Sequence, residues 1–324
     1  MITFSEALSY IEHAIKGIHY PKQPQKLYEP IAYLLLLKGK KIRPALTLLS
    51  CNLFKQTIDE AINIALAWEI FHNFTLMHDD VMDNADIRRG QPSVHKKWDE
   101  NTAILSGDAM LILAYKYLAK SPVHNQKELL DLFSTTAAEI CEGQEYDMQF
   151  ENRLDVKEEE YLNMIRLKTA VMLGASLKSG AIIGGAMEKD KNLLYDFGLN
   201  LGIAFQIQDD ILDVYGDPSV FGKKIGGDIL CNKKTYLLVN ALNTKDEKEK
   251  KELLFWLQTG NNQKEKKILE VTSLYDRLLL KEKAHEKMEY YYRKSIRKLN
   301  KVNVPVEKKI VLMNLAKELM NRNS

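Results

Sequence analysis

Cysteine, proline and glycine are all scarce in this chain. Three cysteines in 324 residues (Cys51, Cys141 and Cys231), odd in number and far apart, argue against a disulfide framework and for a reducing, cytoplasmic setting. Eight prolines and sixteen glycines leave long uninterrupted stretches, which excludes collagen-like and low-complexity architectures. With 46 basic and 44 acidic side chains the net charge is only +2, so nothing global attracts nucleic acid. No apolar run reads as a membrane span: the least polar stretch, 170–187, contains Lys178 and four glycines. The N-terminus has no basic region ahead of an apolar one, so no signal peptide is expected.

What the chain does have is helical periodicity and enough apolar mass, 45% of its residues, for a large core. Ile62, Ala65, Leu66, Glu69, Ile70, Asn73, Phe74, Met77 and Val81 recur at i, i+3, i+4 spacing, with Glu69 and Asn73 as two polar members of an otherwise apolar set. Similar patterns cover 104–120, 129–150, 158–187, 192–215, 229–243 and 278–298. Sustained alternation is missing, so strands are not expected. Segments 84–92 and 215–227 read as loops, and 243–267 as a solvated helical hairpin. No Pro/Ser-rich linker divides the chain. The expectation is an all-α protein of ten or more helices, folded as one domain over 1–324. Within 170–187, Ala170, Gly174, Ala181, Gly184 and Gly185 mark a helix that others can approach closely.

Two segments carry chemistry. His78-Asp79-Asp80-Val81-Met82-Asp83 and Gln208-Asp209-Asp210-Ile211-Leu212-Asp213 both read Asp-Asp-x-x-Asp, and each ends an apolar helical run. With 19 aspartates in the chain, one such match is expected by chance about 0.06 times and two about 0.002 times. The outer aspartates are i and i+4, stacked one turn apart, where their charges repel and oppose the helix dipole. A shared divalent ion removes that repulsion, and all-oxygen ligation selects Mg²⁺ or Mn²⁺ over zinc. Mg²⁺ held this way is usually shared with substrate phosphates. Cations stand nearby in sequence: Lys38, Lys40, Lys41 and Arg43 before the first motif, Arg88-Arg89 after it, and Lys223-Lys224 and Lys233-Lys234 after the second. Their placement suggests diphosphate clamps, with arginine giving bidentate contacts.

Taken together these blocks resemble the trans-isoprenyl diphosphate synthases of the polyprenyl synthetase family. Lys40-Lys41-Ile42-Arg43-Pro44 is similar to that family's basic block, with Lys41 where arginine is usual and Lys38 where glycine is usual. His72 with 78–83 and 88–95 resembles its first aspartate-rich region. Lys168-Thr169, 205–213, and Lys223 followed by Asp228-Ile229 and Lys233-Lys234-Thr235 complete the order. The resemblance implies an isoprenoid synthase-type helical bundle around a deep central cavity, usually as a homodimer. It also implies isopentenyl diphosphate and an allylic diphosphate (dimethylallyl, geranyl or farnesyl) as substrates. By position, Asp79 and Asp83 would bind two Mg²⁺ and Asp209 a third. Arg88, Lys168, Thr169, Gln206, Lys223 and Lys233 would hold the allylic diphosphate, and Lys40, Arg43, His72 and Arg89 isopentenyl diphosphate. Asp80, Asp210 and Asp213 would orient metal-bound water, and His78 would be structural.

The implied chemistry is electrophilic alkylation, in which the allylic C–O bond breaks and the isopentenyl double bond attacks the resulting cation. No protein nucleophile is required, and no Ser/His/Asp or Cys/His constellation is present near the motifs. Asp79, Asp83, Asp209, Lys168 and Lys223 would carry the catalytic charge stabilisation. Product length is expected to be set by the helix leading to Asp79, at Thr75, Phe74 and Phe71, which lie four, five and eight residues back. An aromatic fifth residue with a small fourth, and no insertion between the aspartates, resembles a geranylgeranyl pattern; farnesyl diphosphate is the alternative product. A non-catalytic subunit of a heteromeric synthase is disfavoured because no aspartate or arginine of the pattern is lost. A class I terpene cyclase is disfavoured by the second Asp-Asp-x-x-Asp.

Overall fold

The computed structural model describes residues 1–217, 225–259 and 263–321. Among these, regular structure is helical except for one two-residue antiparallel ladder, β1 (Ile87–Arg88) against β2 (Gln91–Pro92). This corrects the reading of 84–92 as plain loop. Gly90 at φ 76° and Arg89 at φ 53° supply the left-handed pair that a tight hairpin turn requires.

The chain forms two compact units. The first comprises Met1–Ser134, Ala175–Tyr195 and Val302–Leu312; the second comprises Thr135–Gly174, Asp196–Lys301 and Met313–Ser324. The first holds α1 (Phe4–Lys16), α2 (Gln25–Leu36), α3 (Ile42–Phe54), α4 (Asp59–Met82), the short α5 (Val94–Lys97) and α6 (Glu100–Leu118). The start of α7 (Val123–Glu151) also belongs to it. Thr3 and Glu6 close a capping box at α1, and Asp99 caps α6 by accepting from the Thr102 N–H. α4 packs most extensively on α6 and also on α3. It is buried nearly all round, from Ala61 through Trp68 and Phe71 to Met77 and Asp80, which makes it a central helix.

The way α4 ends places two arginines. Asn84 adopts the left-handed conformation at φ 49°. Its N–H donates to the Val81 carbonyl, and the Ala85 N–H donates to the Asp80 carbonyl. That pair of bonds is a Schellman motif, in which asparagine tolerates the position usually given to glycine. The chain turns back sharply, and the β1–β2 hairpin carries Arg88 and Arg89 onto α4.

The second unit holds α8 (Glu158–Ile165), α10 (Glu188–Tyr215) from Asp196 on, α11 (Gly227–Leu230) and α12 (Tyr236–Leu242). It also holds α13 (Glu247–Gln258), α14 (Lys264–Arg277) and α15 (Leu280–Asn300). The pattern read as one helix over 229–243 is thus two, parted at Asn232, which sits at φ 53°. α8 continues into a π-helical turn, Arg166–Ala170, where the Val171 N–H reaches back five residues to the Arg166 carbonyl. α9 (Val171–Ile183) comes next, and the last helix is α16 (Val306–Met320).

Close approach in 170–187 holds at Ala170, whose Cα would lie 2.6 Å from a Cβ on Gly202, and at Gly184, and Gly180 adds a third position. A Cβ on Gly180 would lie 2.0 Å from the Thr47 carbonyl oxygen and one on Gly184 2.9 Å from that of Cys51. Backbone of α9 therefore touches backbone of α3. Gly185, at φ 75° with nothing near it, ends the helix instead.

Candidate active site

In the first unit, α4 presents His72, Asp79 and Asp83. Asp79 is partly exposed and Asp83 exposed at the helix cap. His72 Nε2 lies 3.0 Å from an Arg43 guanidinium nitrogen. Arginine only donates, so Nε2 accepts and the proton resides on Nδ1. Desolvation, then the charges of Arg43, Arg89, Arg88 and Lys41, hold the His72 pKa well below 6.5, so the ring is neutral. Burial also pulls Arg43 down to about 10, against the attraction of Glu69. The Arg43 Nε is buried without a hydrogen-bond partner. Arg89 donates to Asn73 Oδ1 at 3.3 Å and lies over Gly39, where a Cβ would come within 2.9 Å of its Cζ. Lys40 is exposed. Arg43, His72 and Arg89 are thus brought together, with Lys41 beside them.

Arg88 is held differently. Its Nε lies 3.0 and 3.1 Å from the two Asp80 carboxylate oxygens, and an NH2 contact completes a forked pair. Asp80 is 1% exposed. Asp80 thus anchors Arg88. His78 is structural as expected: its ring contacts the Ile104 carbonyl at 3.1 Å and fills a notch over Gly107, where a Cβ would collide at 2.2 Å. Phe71 packs against Trp68, Phe74 and Phe133, and Phe74 also meets the His78 ring. The Thr75 hydroxyl bonds back to the His72 carbonyl.

In the second unit, Lys168, Thr169, Gln206 and Lys233 line one pocket together with Asp147, Tyr161 and Asp210. Lys168 and Thr169 are displayed by the π turn. Lys168 Nζ is 2.6 Å from Asp147 on α7, and Thr169 donates to Gln206 at 3.3 Å. Gln206 donates in turn to Asp210. Asp210 also accepts from the Tyr161 hydroxyl at 2.6 Å and the Tyr236 N–H at 2.8 Å. Burial, then repulsion from Asp228, raises its pKa to about 7. Asp210 therefore ties α8 and the start of α12 to α10. Asp213 similarly caps α11 by accepting from the Asp228 N–H at 2.9 Å. Lys233 stands 3.8 Å from Asp228. Asp209 is partly exposed on α10, and Lys223 lies outside the described residues.

Asp147 escapes a reading of the sequence, although Gly143 signals it. A glycine in the middle of a long helix marks close approach, and a Cβ there would lie 2.3 Å from the Lys168 backbone nitrogen. The metal question turns on the donors present. Among the described residues no three His, Cys, Asp or Glu side chains cluster into a self-sufficient metal site. A carboxylate pair one helical turn apart, partly in solvent, fits a hard cation that completes its shell with water and phosphate oxygens.

A sequence model described as polyprenyl synthetase matches residues 24–275, and the chain belongs to that family. It is a prenyltransferase with the all-α isoprenoid synthase fold. Short chain isoprenyl diphosphate synthase of Methanothermobacter thermautotrophicus is 41% identical over 263 residues, covering 81% of this chain and 80% of its own. Geranylgeranyl diphosphate synthase of Sulfolobus acidocaldarius is 39% identical over 304 residues, covering 93% and 91%. A crystal structure of a geranylgeranyl pyrophosphate synthase superposes with TM-score 0.95 at 42% identity, covering 100% of both chains. Among the described residues no helix is long and apolar enough to cross a membrane.

Proposed function

We propose that this chain condenses isopentenyl diphosphate with allylic diphosphates to make geranylgeranyl diphosphate. The observation that carries the reading is the content of α4. One helix brings the aromatic stack of Phe71 and Phe74, neutral His72 against Arg43, and the Asp79/Asp83 pair within about 18 Å of axis. Apolar surface, diphosphate-binding cations and metal-binding carboxylates are what a lipid diphosphate needs in that order. The relatives from Methanothermobacter and Sulfolobus support a short-chain product, and the latter a twenty-carbon one.

In this reading Asp79, Asp83 and Asp209 hold up to three Mg²⁺, which would neutralise the departing diphosphate. Arg88, steadied by Asp80, joins Lys168, Thr169, Gln206, Lys223 and Lys233 on the allylic diphosphate. Lys40, Arg43, His72 and Arg89 hold isopentenyl diphosphate. A neutral His72 fits there because it offers Nδ1–H to a phosphate oxygen while Nε2 fixes Arg43. Asp147 aims Lys168. Apolar walls exclude water from the cation, and the released diphosphate accepts the final proton. We further take 1–324 as one functional domain. It pairs as a homodimer through α6, whose Leu105 and Ile112 are 60% and 63% exposed two turns apart on one face. The three free thiols fit a cytoplasmic enzyme.

The test is to incubate the purified chain with Mg²⁺, labelled isopentenyl diphosphate and each allylic diphosphate, and to chromatograph the products. Twenty-carbon product is expected; accumulation of fifteen-carbon product alone would make it a farnesyl diphosphate synthase, and no product would leave it a non-catalytic subunit.

A further inference from the structure

Glu69 is 1% exposed in the middle of α4. A buried carboxylate costs several kcal/mol unless cations and hydrogen bonds compensate it. Its compensation comes from the residues assigned to isopentenyl diphosphate, and from Lys41 beside them. Lys41 Nζ lies 3.4 Å from Glu69 Oε1, and the charge of Glu69 supports the protonated forms of Arg43 and Arg89, which desolvation weakens. The same Oε1 accepts from Asn73 Nδ2 at 3.0 Å, and that nitrogen also donates to the Glu69 carbonyl at 2.7 Å.

The orientation of Asn73 is fixed by these bonds. A carboxylate and a carbonyl only accept, so the Asn73 amide must turn its NH₂ toward Glu69. Its Oδ1 is thereby committed to the other side, where it accepts from Arg89 at 3.3 Å. Arg89 itself sits in the left-handed region and occupies the space left by Gly39. Three cations from two separate segments, the start of α3 and the β1–β2 turn, converge on one carboxylate, leaving a clear positive excess. Two buried atoms of the cluster, Glu69 Oε2 and Arg43 Nε, have no hydrogen-bond partner. An ion pair kept only for packing would be better satisfied than this, and such shortfalls in a native protein call for a functional account.

We propose that Glu69 is a positioning residue for the isopentenyl diphosphate site: it aims Arg89 through Asn73 and sets the spacing of Lys41 and Arg43, without touching substrate. The inference rests on the proposed assignment of Arg43, His72 and Arg89 to that substrate. The neutral isostere Glu69→Gln removes the charge that Lys41, Arg43 and Arg89 face and leaves the main-chain carbonyl as the one obligate acceptor for Asn73, so Asn73 is held less firmly and Arg89 with it.

The experiment is steady-state kinetics with both substrates varied, on the wild type, Glu69→Gln, Asn73→Ala, Arg89→Ala and the double variant Glu69→Gln/Arg89→Ala. Glu69→Gln and Asn73→Ala should each raise KM for isopentenyl diphosphate about tenfold, with the allylic KM and kcat moving less than about twofold. The double variant should show a smaller rise than the product of the two single effects. If Glu69→Gln does not fold, Asn73→Ala carries the same prediction. An unchanged isopentenyl KM, or equal effects on both substrates, overturns the inference, and multiplicative single effects overturn the path through Arg89. A wild type that does not consume isopentenyl diphosphate overturns the proposed function itself and this inference with it.

Discussion

At His72 burial and neighbouring charge act in the same direction. Both keep it neutral, so its folded pKa lies below the 6.5 of the free side chain. The unfolded chain then binds a proton that the folded chain refuses. Stability from this group is complete above about pH 6.5 and is lost as the pH falls below it. Urea unfolding should therefore give less stability at about pH 5.5 than at about pH 7.5 from this residue. The loss should shrink in His72→Gln; an identical slope in the variant would show that the ring protonates freely in the fold. Asp79 and Asp209 make the opposite kind of prediction. Asp79→Ala or Asp209→Ala should lower kcat by at least about a hundredfold while hardly changing the melting temperature, since loss of one carboxylate relieves repulsion within its pair. Near-wild-type turnover of Asp79→Ala in Mg²⁺ would refute the metal assignment.

At the scale of elements, α4 is the piece from which product length can be read. Phe74 stands five residues before Asp79, about 7.5 Å along the axis, and is packed between Phe71 and His78. Phe74→Ala should lengthen the products, and Thr75→Phe should shorten them toward fifteen carbons. Chromatography of both variants decides it, and unchanged lengths would place the floor of the site elsewhere. The packing of α7 on the π turn yields a second test. Gly143→Ala should force the Lys168 backbone away and raise KM for the allylic substrate more than that for isopentenyl diphosphate, measured with each substrate varied in turn. The extent and order of these helices were legible in periodicity, and the Asp-Asp-x-x-Asp spacing located the carboxylates. What the sequence concealed is long-range: that Asp80 serves Arg88, that Asp210 is tied to Tyr161 and Tyr236, and that Asp147 meets Lys168. Local pattern specifies which face a side chain occupies but not which distant segment arrives opposite it. The β1–β2 ladder escaped for a different reason, being too short to alternate.

For the molecule as a whole, the exposed Leu105 and Ile112 make association the property most worth measuring. Introducing charge on this face, as in Leu105→Glu with Ile112→Glu, should convert the proposed dimer to monomer in light scattering without unfolding it, because neither side chain belongs to the core. Unaltered mass in the double variant would place the interface on another surface.

The π turn at Arg166–Ala170 amounts to one residue more than a regular helix would use, and that surplus shifts the phase of the downstream helix by about 100°. Removing a single residue there, Leu167 for instance, would give the backbone its ordinary bonding pattern again. The helix so mended loses nothing in hydrogen bonding, yet Lys168 and Thr169 would rotate off the side facing Asp147 and Gln206. A shortened chain that folds well and turns over poorly would show that this helix tolerates an irregularity in its own winding so that a lysine and a threonine point the same way.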